Sequence, residues 1–93
     1  MKALWENTVV AQSNETIVVE GNHYFPPDSI DPACFAPSDT HTTCHWNGVA
    51  SYYHVKVGGK VNADAAWFYP EPSTAANSIR NYIAFWRGVT VVE

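Results

Sequence analysis

Thiol and imidazole side chains come together in the middle of the chain, where His41, Cys44 and His45 occupy one short segment. Both groups are good zinc ligands, and His23 and Cys34 could join them in the folded protein. The spacing is unlike that of a structural zinc site, because the sequence has a single His-x-x-Cys pair and no CxxC pair. We therefore expect no zinc and no other cofactor, and regard His41, Cys44 and His45 as weak metal candidates.

Cys44 is also a candidate catalytic nucleophile, with His23, His41 or His45 as the base that would activate it. Adjacent residues on an extended strand point to opposite faces, so Cys44 and His45 would meet only within a turn. A reactive thiol also needs an accessible, electropositive setting, which the surrounding sequence does not provide. The simpler expectation is an unreactive thiol at the start of a central strand, with both cysteines free.

A central hairpin is the element that would position most of the aromatic side chains. Two strand-forming runs, residues 46–57 and 60–69, flank Gly58-Gly59, a pair that favours a tight turn with positive φ. A two-residue turn would place Tyr52 opposite Ala65. Both faces of this hairpin are then rich in large rings, which indicates a position in the middle of the domain.

The two faces of the predicted hairpin differ in the room that they leave. Small residues lie among the rings of the first face, and aromatic walls with a few polar tips are typical of small-molecule sites. The same pattern also arises from an ordinary hydrophobic core, which is the commoner reason for rings at strand spacing. The first face carries Trp46, Tyr52, His54, Trp67 and Tyr69, and the second carries Val49, Tyr53, Val55, Val57 and Phe68.

Strand signals dominate the rest of the chain as well. The β-branched runs 8–11 and 16–20 suggest a second hairpin, and the proline-rich stretch 26–43 is typical of an irregular segment that covers something. Ser73 is a plausible N-cap for a short helix over residues 74–81. The sequence therefore predicts one all-β domain, residues 1–93, with a single short helix.

Composition limits the classes of function. The 93 residues are 46% hydrophobic and 14% aromatic, which suits one folded domain rather than a disordered chain. A net charge of −4 and five scattered basic residues argue against nucleic acid as a partner. No apolar run approaches the roughly 18 residues of a membrane helix, and the N-terminus is unlike a signal peptide. We expect a cytoplasmic protein with no membrane partner.

A family resemblance rests on four segments: VVEGNHYFPP (18–27), CHWNGVASYY (44–53), AAWFYPEP (65–72) and IAFWRGVTV (83–91). In order and spacing they resemble a family of small bacterial proteins catalogued as a domain of unknown function, sometimes labelled a nucleotidyltransferase-type domain. The resemblance implies the β-tent fold, in which two antiparallel sheets meet at an angle. It also implies that His23 and Tyr24 lie beside the first face. One departure is His45-Trp46-Asn47, where such proteins more often read Pro-Trp-Lys.

Nucleotidyl transfer would require carboxylates clustered around a divalent metal and a Gly-rich or basic cradle for phosphates. Asp28, Asp31 and Asp39 fall in the irregular stretch, and Asp64 falls in a strand. No pair has the Asp-x-Asp spacing, and no Gly-rich turn leads into a helix. The sequence itself therefore gives this activity no support.

These observations favour a module that binds an unidentified small molecule, or a peptide end, in an aromatic-lined pocket. One alternative is an enzyme that uses His23 or Cys44 and acts on nucleotides, as the family label suggests. A second alternative is a subunit that docks onto another protein through exposed rings and the stretch 26–43. The expected pocket residues are His23, Tyr24, Trp46, Tyr52, His54, Trp67 and Tyr69.

Overall fold

The computed structural model describes residues 1–93 and consists of antiparallel β-sheet with short 3₁₀ segments, which confirms the all-β class. The nine strands are β1 Lys2–Trp5, β2 Thr8–Gln12, β3 Ile17–Val19, β4 Asn22–Tyr24, β5 Phe35–Cys44, β6 Gly48–Val57, β7 Lys60–Phe68, β8 Ile83–Phe85 and β9 Thr90–Val92. They form a three-stranded sheet in the order β2-β1-β9, a β3-β4 hairpin, and a four-stranded sheet in the order β5-β6-β7-β8.

The β3-β4 hairpin extends the edge of the four-stranded sheet. Phe25, which follows β4, exchanges two backbone hydrogen bonds with Ile83 of β8, each 2.8 Å long. Counting this pair, the strands make up one long sheet and one short sheet, which is the number of sheets that the family resemblance implied. A further isolated bridge between Ala11 and Ile30 ties the short sheet to the chain that follows β4.

Tight turns determine how the N-terminal strands pair. Glu6 and Asn7 have φ values of 50° and 58°, and Glu20 and Gly21 have φ values of 53° and 79°. Left-handed residues at both turn positions suit two-residue hairpin loops. β2 therefore pairs with β1 and β3 pairs with β4. The prediction of a hairpin between β2 and β3 is wrong. The turns that do form contain Glu-Asn and Glu-Gly, which are weaker turn signals than Asn-Gly or Asp-Gly.

The central hairpin forms as predicted around Gly58-Gly59, whose φ values are 56° and 82°. The pairs nearest the turn follow the two-residue register. Beyond Val55 the register changes, and Tyr52 lies opposite Trp67 instead of Ala65. A shift by two residues keeps the alternation of side chains, so the predicted division into two faces persists despite the changed partners.

The change of register comes from a bulge in β7. Residues 63–65 together oppose the single residue His54 of β6, and Asp64 has a left-handed φ of 54°. β5 has a matching irregularity, in which residues 38–40 oppose Tyr52. Bulges bend a strand and redirect its side chains. These two therefore bend β5 and β7 where they flank Tyr52 and His54 of β6.

The Asp64 carboxylate joins the two bulges across β6. Ser38 Oγ donates to its Oδ1 at 2.5 Å, and Thr40 Oγ1 donates to its Oδ2 at 2.8 Å. The Asp64 N–H donates to His54 Nδ1 at 3.1 Å. The two hydroxyl hydrogen bonds hold the pKa of Asp64 below its usual value, with a smaller effect from the charges of His54 and Arg87. One side chain thus holds β5 and β7 together over the strand between them.

Buried side chains lie on both faces of the four-stranded sheet, as the two-sided hairpin predicts. The first core packs that sheet against the three-stranded sheet, and the second lies on the opposite face beneath residues 74–79. The first core includes Ala3, Val10, Phe25, Val55 and Phe85, and the second includes Tyr24, Ala50, Tyr52, Tyr69 and Ile79.

The second half of the stretch 26–43, predicted to be irregular, is a strand. β5 is ten residues long and contains Pro37, which the fold tolerates because β5 is an edge strand. Only the part before β5 is irregular, with 3₁₀ turns at Pro27–Ser29 and Pro32–Cys34. The prediction of a long covering loop is therefore wrong.

A 3₁₀ segment, Thr74–Ile79, takes the place of the predicted short helix. Ser73 stands at its N-cap position, but the hydroxyl donates to the backbone carbonyl of Trp46 rather than capping the segment. This bond fastens the turn before β6 to the chain that follows β7. None of the helical segments has the length and apolar character needed to cross a membrane.

Replacing Asp64 with Asn should lower the free energy of unfolding at neutral pH by about 1–3 kcal/mol, because the amide nitrogen cannot accept a hydroxyl hydrogen bond. Folding lowers the pKa of Asp64, so its contribution is complete above the unfolded value, about 3.9, and is lost as pH falls through the folded value. The difference in free energy of unfolding between Asp64→Asn and the original protein should therefore become smaller in acid. Thermal unfolding at a series of pH values from neutral to acid measures this difference.

Asp39→Asn is the matched control for this test, because Asp39 is an exposed neighbour on the same strand as Ser38 and Thr40. That variant should unfold like the original protein at every pH. If the difference in free energy of unfolding between Asp64→Asn and the original protein stays constant with pH, the role assigned to the carboxylate is contradicted.

Gly48→Ala should destabilise the fold by about 1–3 kcal/mol, through backbone strain and crowding. Gly48 has a φ of +106°, and a Cβ there would lie 3.2 Å from the Glu71 carbonyl oxygen. Gly88→Ala is the control, since Gly88 has a φ of +88° but no atom within 4 Å of the added Cβ. Denaturant unfolding should show the larger loss for Gly48→Ala. Equal losses would mean that the close approach has no effect.

Candidate functional site

A cavity opens on the first face of the four-stranded sheet, where the β3-β4 turn meets the β6-β7 hairpin. Its volume is about 190 Å³. An engineered apolar cavity of about 150 Å³ binds benzene, so this one has room for a molecule slightly larger than a six-membered ring. It is lined by Glu20, Asn22, Tyr24, Cys44, Asn47, Tyr52, Trp67, Tyr69 and Trp86.

Three rings form one wall of the cavity, and the central ring, Tyr24, contacts the other two. Trp67 Nε1 donates to the Tyr24 hydroxyl at 3.2 Å, and the two ring planes are 89° apart with centroids 6.2 Å apart. The ring of Tyr69 lies 6.5 Å from that of Tyr24. Edge-to-face contacts and a hydrogen bond fix the orientation of aromatic rings, so this wall is already ordered without a ligand.

Trp86 forms a second wall, which the β7 bulge holds in place. Its Nε1 donates to the Asp64 carbonyl, and its ring lies 5.8 Å from that of Trp67 with the planes 77° apart. The Arg87 guanidinium lies over the Trp86 ring, 4.6 Å from its centroid, and donates to the Ala63 carbonyl at 3.3 Å. Trp86 remains 43% exposed. It therefore stands between the cavity and solvent.

The polar side of the cavity combines a carboxylate, an amide and a thiol. Asn47 is only 6% exposed, and its Nδ2 donates to Glu20 Oε1 at 3.4 Å. The Asn47 carbonyl accepts from the Ser73 N–H at 3.0 Å, which fixes the turn that carries it. Cys44 lies at the end of β5 beside this turn. Glu20 is exposed at the β3-β4 turn and carries the only formal charge among the lining residues.

Two tyrosine hydroxyls in the cavity stay protonated at neutral pH. Burial raises the pKa of Tyr69 to about 12, against the smaller lowering effect of a hydrogen bond with Asn47. Burial also raises the pKa of Tyr24, against hydrogen bonds with Trp67 and Tyr69. Each phenol therefore keeps its O–H, and neither becomes a base at neutral pH.

The Cys44 thiol faces the cavity, but none of the four histidines is among the lining residues. The structure therefore does not assemble a Cys44–His pair at this site. Three of the imidazoles are hydrogen-bonded elsewhere through Nδ1: His23 to Thr16 Oγ1, His41 to Ser51 Oγ, and His54 to the N–H of Asp64.

The structure places only part of the expected pocket set on the cavity. Trp46 lies in the β5-β6 turn and is 76% exposed. His23 precedes Tyr24 on β4, so its side chain points to the opposite face. His54 lies opposite the β7 bulge, where its Nδ1 accepts a hydrogen bond from the Asp64 N–H, and it does not line the cavity. The expected residues that do line the cavity are Tyr24, Tyr52, Trp67 and Tyr69.

Several lining residues were not predicted from the sequence. Glu20 and Asn22 reach the cavity because β3 and β4 form a hairpin, and that hairpin has a weak turn signal. Asn47 had one available signal, its position directly before a glycine that starts the central strand. Trp86 belongs to an aromatic run, but its place depends on the bulge at Asp64, which no local pattern marks.

The candidate metal ligands do not converge. His41 and Cys44 are three residues apart on β5, so their side chains point to opposite faces. No group of three or more His, Cys, Asp or Glu side chains in the structure has the arrangement to hold a metal ion. Both cysteines are free. Cys34 is buried in the first core, where burial and the neighbouring Asp31 raise the pKa of its thiol.

Comparison with known proteins gives a family but no activity. No curated protein matches the sequence. A family model labelled NTP_transf_9, and described as a domain of unknown function (DUF427), matches residues 1–93. The match covers the whole chain and agrees with the resemblance seen in the four segments of the sequence. The protein is therefore a member of the DUF427 family.

Proposed function

We propose that this protein binds a small molecule, or the end of a peptide, in the aromatic cavity. The observation that carries the proposal is the convergence of five aromatic rings on one cavity. Tyr24, Tyr52, Trp67, Tyr69 and Trp86 all line the same space of about 190 Å³.

The aromatic lining of this cavity favours a binding role. Ligand sites are concave and lined mainly by hydrophobic and aromatic side chains. Tyr52 and Tyr69 are almost wholly buried, and both line the cavity. A ligand in the cavity would therefore contact rings that the fold already holds in place.

The arrangement of polar groups also supports binding. Ligand sites are usually apolar clefts with a few convergent polar groups that orient the bound molecule. Here the Tyr24 and Tyr69 hydroxyls, the Asn47 amide and the Glu20 carboxylate lie around a single cavity. They could hold polar atoms of a ligand while the rings contact its apolar part.

The cavity walls are held by contacts that exist without a ligand. Trp67 is bonded to Tyr24, Trp86 to Asp64, and Tyr52 to Thr42 through a hydroxyl pair at 2.8 Å. Side chains that are already ordered lose little conformational entropy on binding, which strengthens affinity. Walls that are ordered in the absence of a ligand are expected of a ligand-binding site.

A thermal-unfolding screen against small amines, alcohols, carboxylic acids, sugars and nucleosides should reveal at least one stabilising compound. A ligand at about a hundred times its Kd adds about 2.7 kcal/mol, which raises the Tm of a domain of this size by several degrees. Trp67→Phe should reduce that rise to a small fraction, because it removes part of the wall and the donor to Tyr24.

Trp46→Phe is the matched control, since Trp46 is exposed and lies outside the cavity. Each variant is compared with its own Tm in the absence of compound, so a change in intrinsic stability does not affect the result. The absence of any shift across the panel, or equal losses in both variants, would contradict the proposal.

A further inference from the structure

We infer that the molecule bound in the cavity carries a positively charged organic ammonium group. This inference rests on the proposed binding function and adds the chemical class of the ligand. It follows from the charges, the rings and the hydrogen-bonding groups that the cavity presents.

The charges around the cavity favour a cation. Glu20 is the only lining residue with a formal charge, and no Lys, Arg or His is among the lining residues. The whole chain has a net charge of −4. A bound anion would face the Glu20 carboxylate with no compensating positive group in the lining, whereas an ammonium group would gain from the same carboxylate.

The ring arrangement matches what an ammonium group needs. Cations are attracted to the faces of Trp and Tyr within about 6 Å of the ring centroid, and cages of such rings recognise quaternary ammonium groups. Trp67 stands nearly perpendicular to both Tyr24 and Trp86, at 89° and 77°. All three rings line the cavity, so a compact group bound there lies beside more than one of them.

One ring in the cavity wall already makes this interaction within the protein. The Arg87 guanidinium lies 4.6 Å from the centroid of Trp86 and is tied to the Ala63 carbonyl. Trp67 has no such internal cation and is only partly buried. Its π surface is therefore the one most open to a cation that comes from outside.

The carboxylate is positioned to complete the site. Asn47, buried at 6% exposure, donates to Glu20 Oε1 at 3.4 Å and so holds the side chain toward the cavity. Glu20 has no salt bridge to a basic residue of the chain. Its charge is therefore free to pair with a ligand.

Three compounds test the inference directly: choline, its neutral carbon isostere 3,3-dimethylbutan-1-ol, and ethanolamine. Tryptophan fluorescence titration or calorimetry would give each Kd. We expect choline or ethanolamine to bind at least about tenfold more tightly than the neutral alcohol, because only they carry the charge. Tighter binding of choline would assign an alkylated ammonium group, and tighter binding of ethanolamine would assign a primary one.

Glu20→Gln should weaken binding of the favoured ammonium compound by about fivefold to tenfold and leave the neutral alcohol unchanged. Glu15→Gln is the matched control, because Glu15 is also exposed but lies outside the cavity lining. It should change neither Kd. Because both positions are exposed, neither variant should impair folding, and circular dichroism verifies this.

Equal affinity for choline and its neutral isostere would overturn the ammonium inference while leaving the proposed binding function intact. An unchanged Kd in Glu20→Gln would likewise overturn it. If neither choline nor ethanolamine binds, the ammonium inference fails, and the proposed function is then decided separately by the uncharged and acidic compounds of the wider screen.

Discussion

Asp64 is the residue on which the arrangement of the long sheet most depends. Its left-handed backbone creates the β7 bulge, and its carboxylate accepts hydrogen bonds from Ser38 and Thr40 on a strand two places away. Its carbonyl accepts the indole N–H of Trp86. The same residue therefore joins strands that are not direct neighbours and places one wall of the cavity, because a bulge frees backbone groups that a regular ladder would use.

The fold was predictable wherever a local pattern dictated the geometry. Gly58-Gly59 specified the central turn, and alternation along β6 and β7 specified which rings share a face. The bulges were not predictable, because Asp64 is stabilised by Ser38 and Thr40, which lie far away in sequence. β5 was missed for a related reason: the four prolines of the stretch 26–43 suggested a loop, and only the place of β5 at the sheet edge makes Pro37 acceptable.

The candidate site shows the same division between local and distant determinants. Trp67 and Tyr69 follow from strand alternation, and Tyr24 was reached through the family resemblance. Glu20 reaches the cavity through a turn with a weak sequence signal, and Trp86 reaches it through the bulge at Asp64. Asn47 is marked only by the glycine that follows it. Those residues also give the cavity its charge and its second wall. The sequence therefore indicated an aromatic pocket but not what the pocket would select.

The central claim is that the ring-lined cavity is the binding site, and the four tryptophans offer a direct measurement of it. Each indole N–H gives its own signal in a ¹⁵N-correlated NMR spectrum. During titration with a compound that stabilises the protein, the signals of Trp67 and Trp86 should shift, while those of Trp5 and Trp46 should stay in place. Shifts confined to Trp5 or Trp46, with Trp67 and Trp86 unchanged, would contradict this account of the protein.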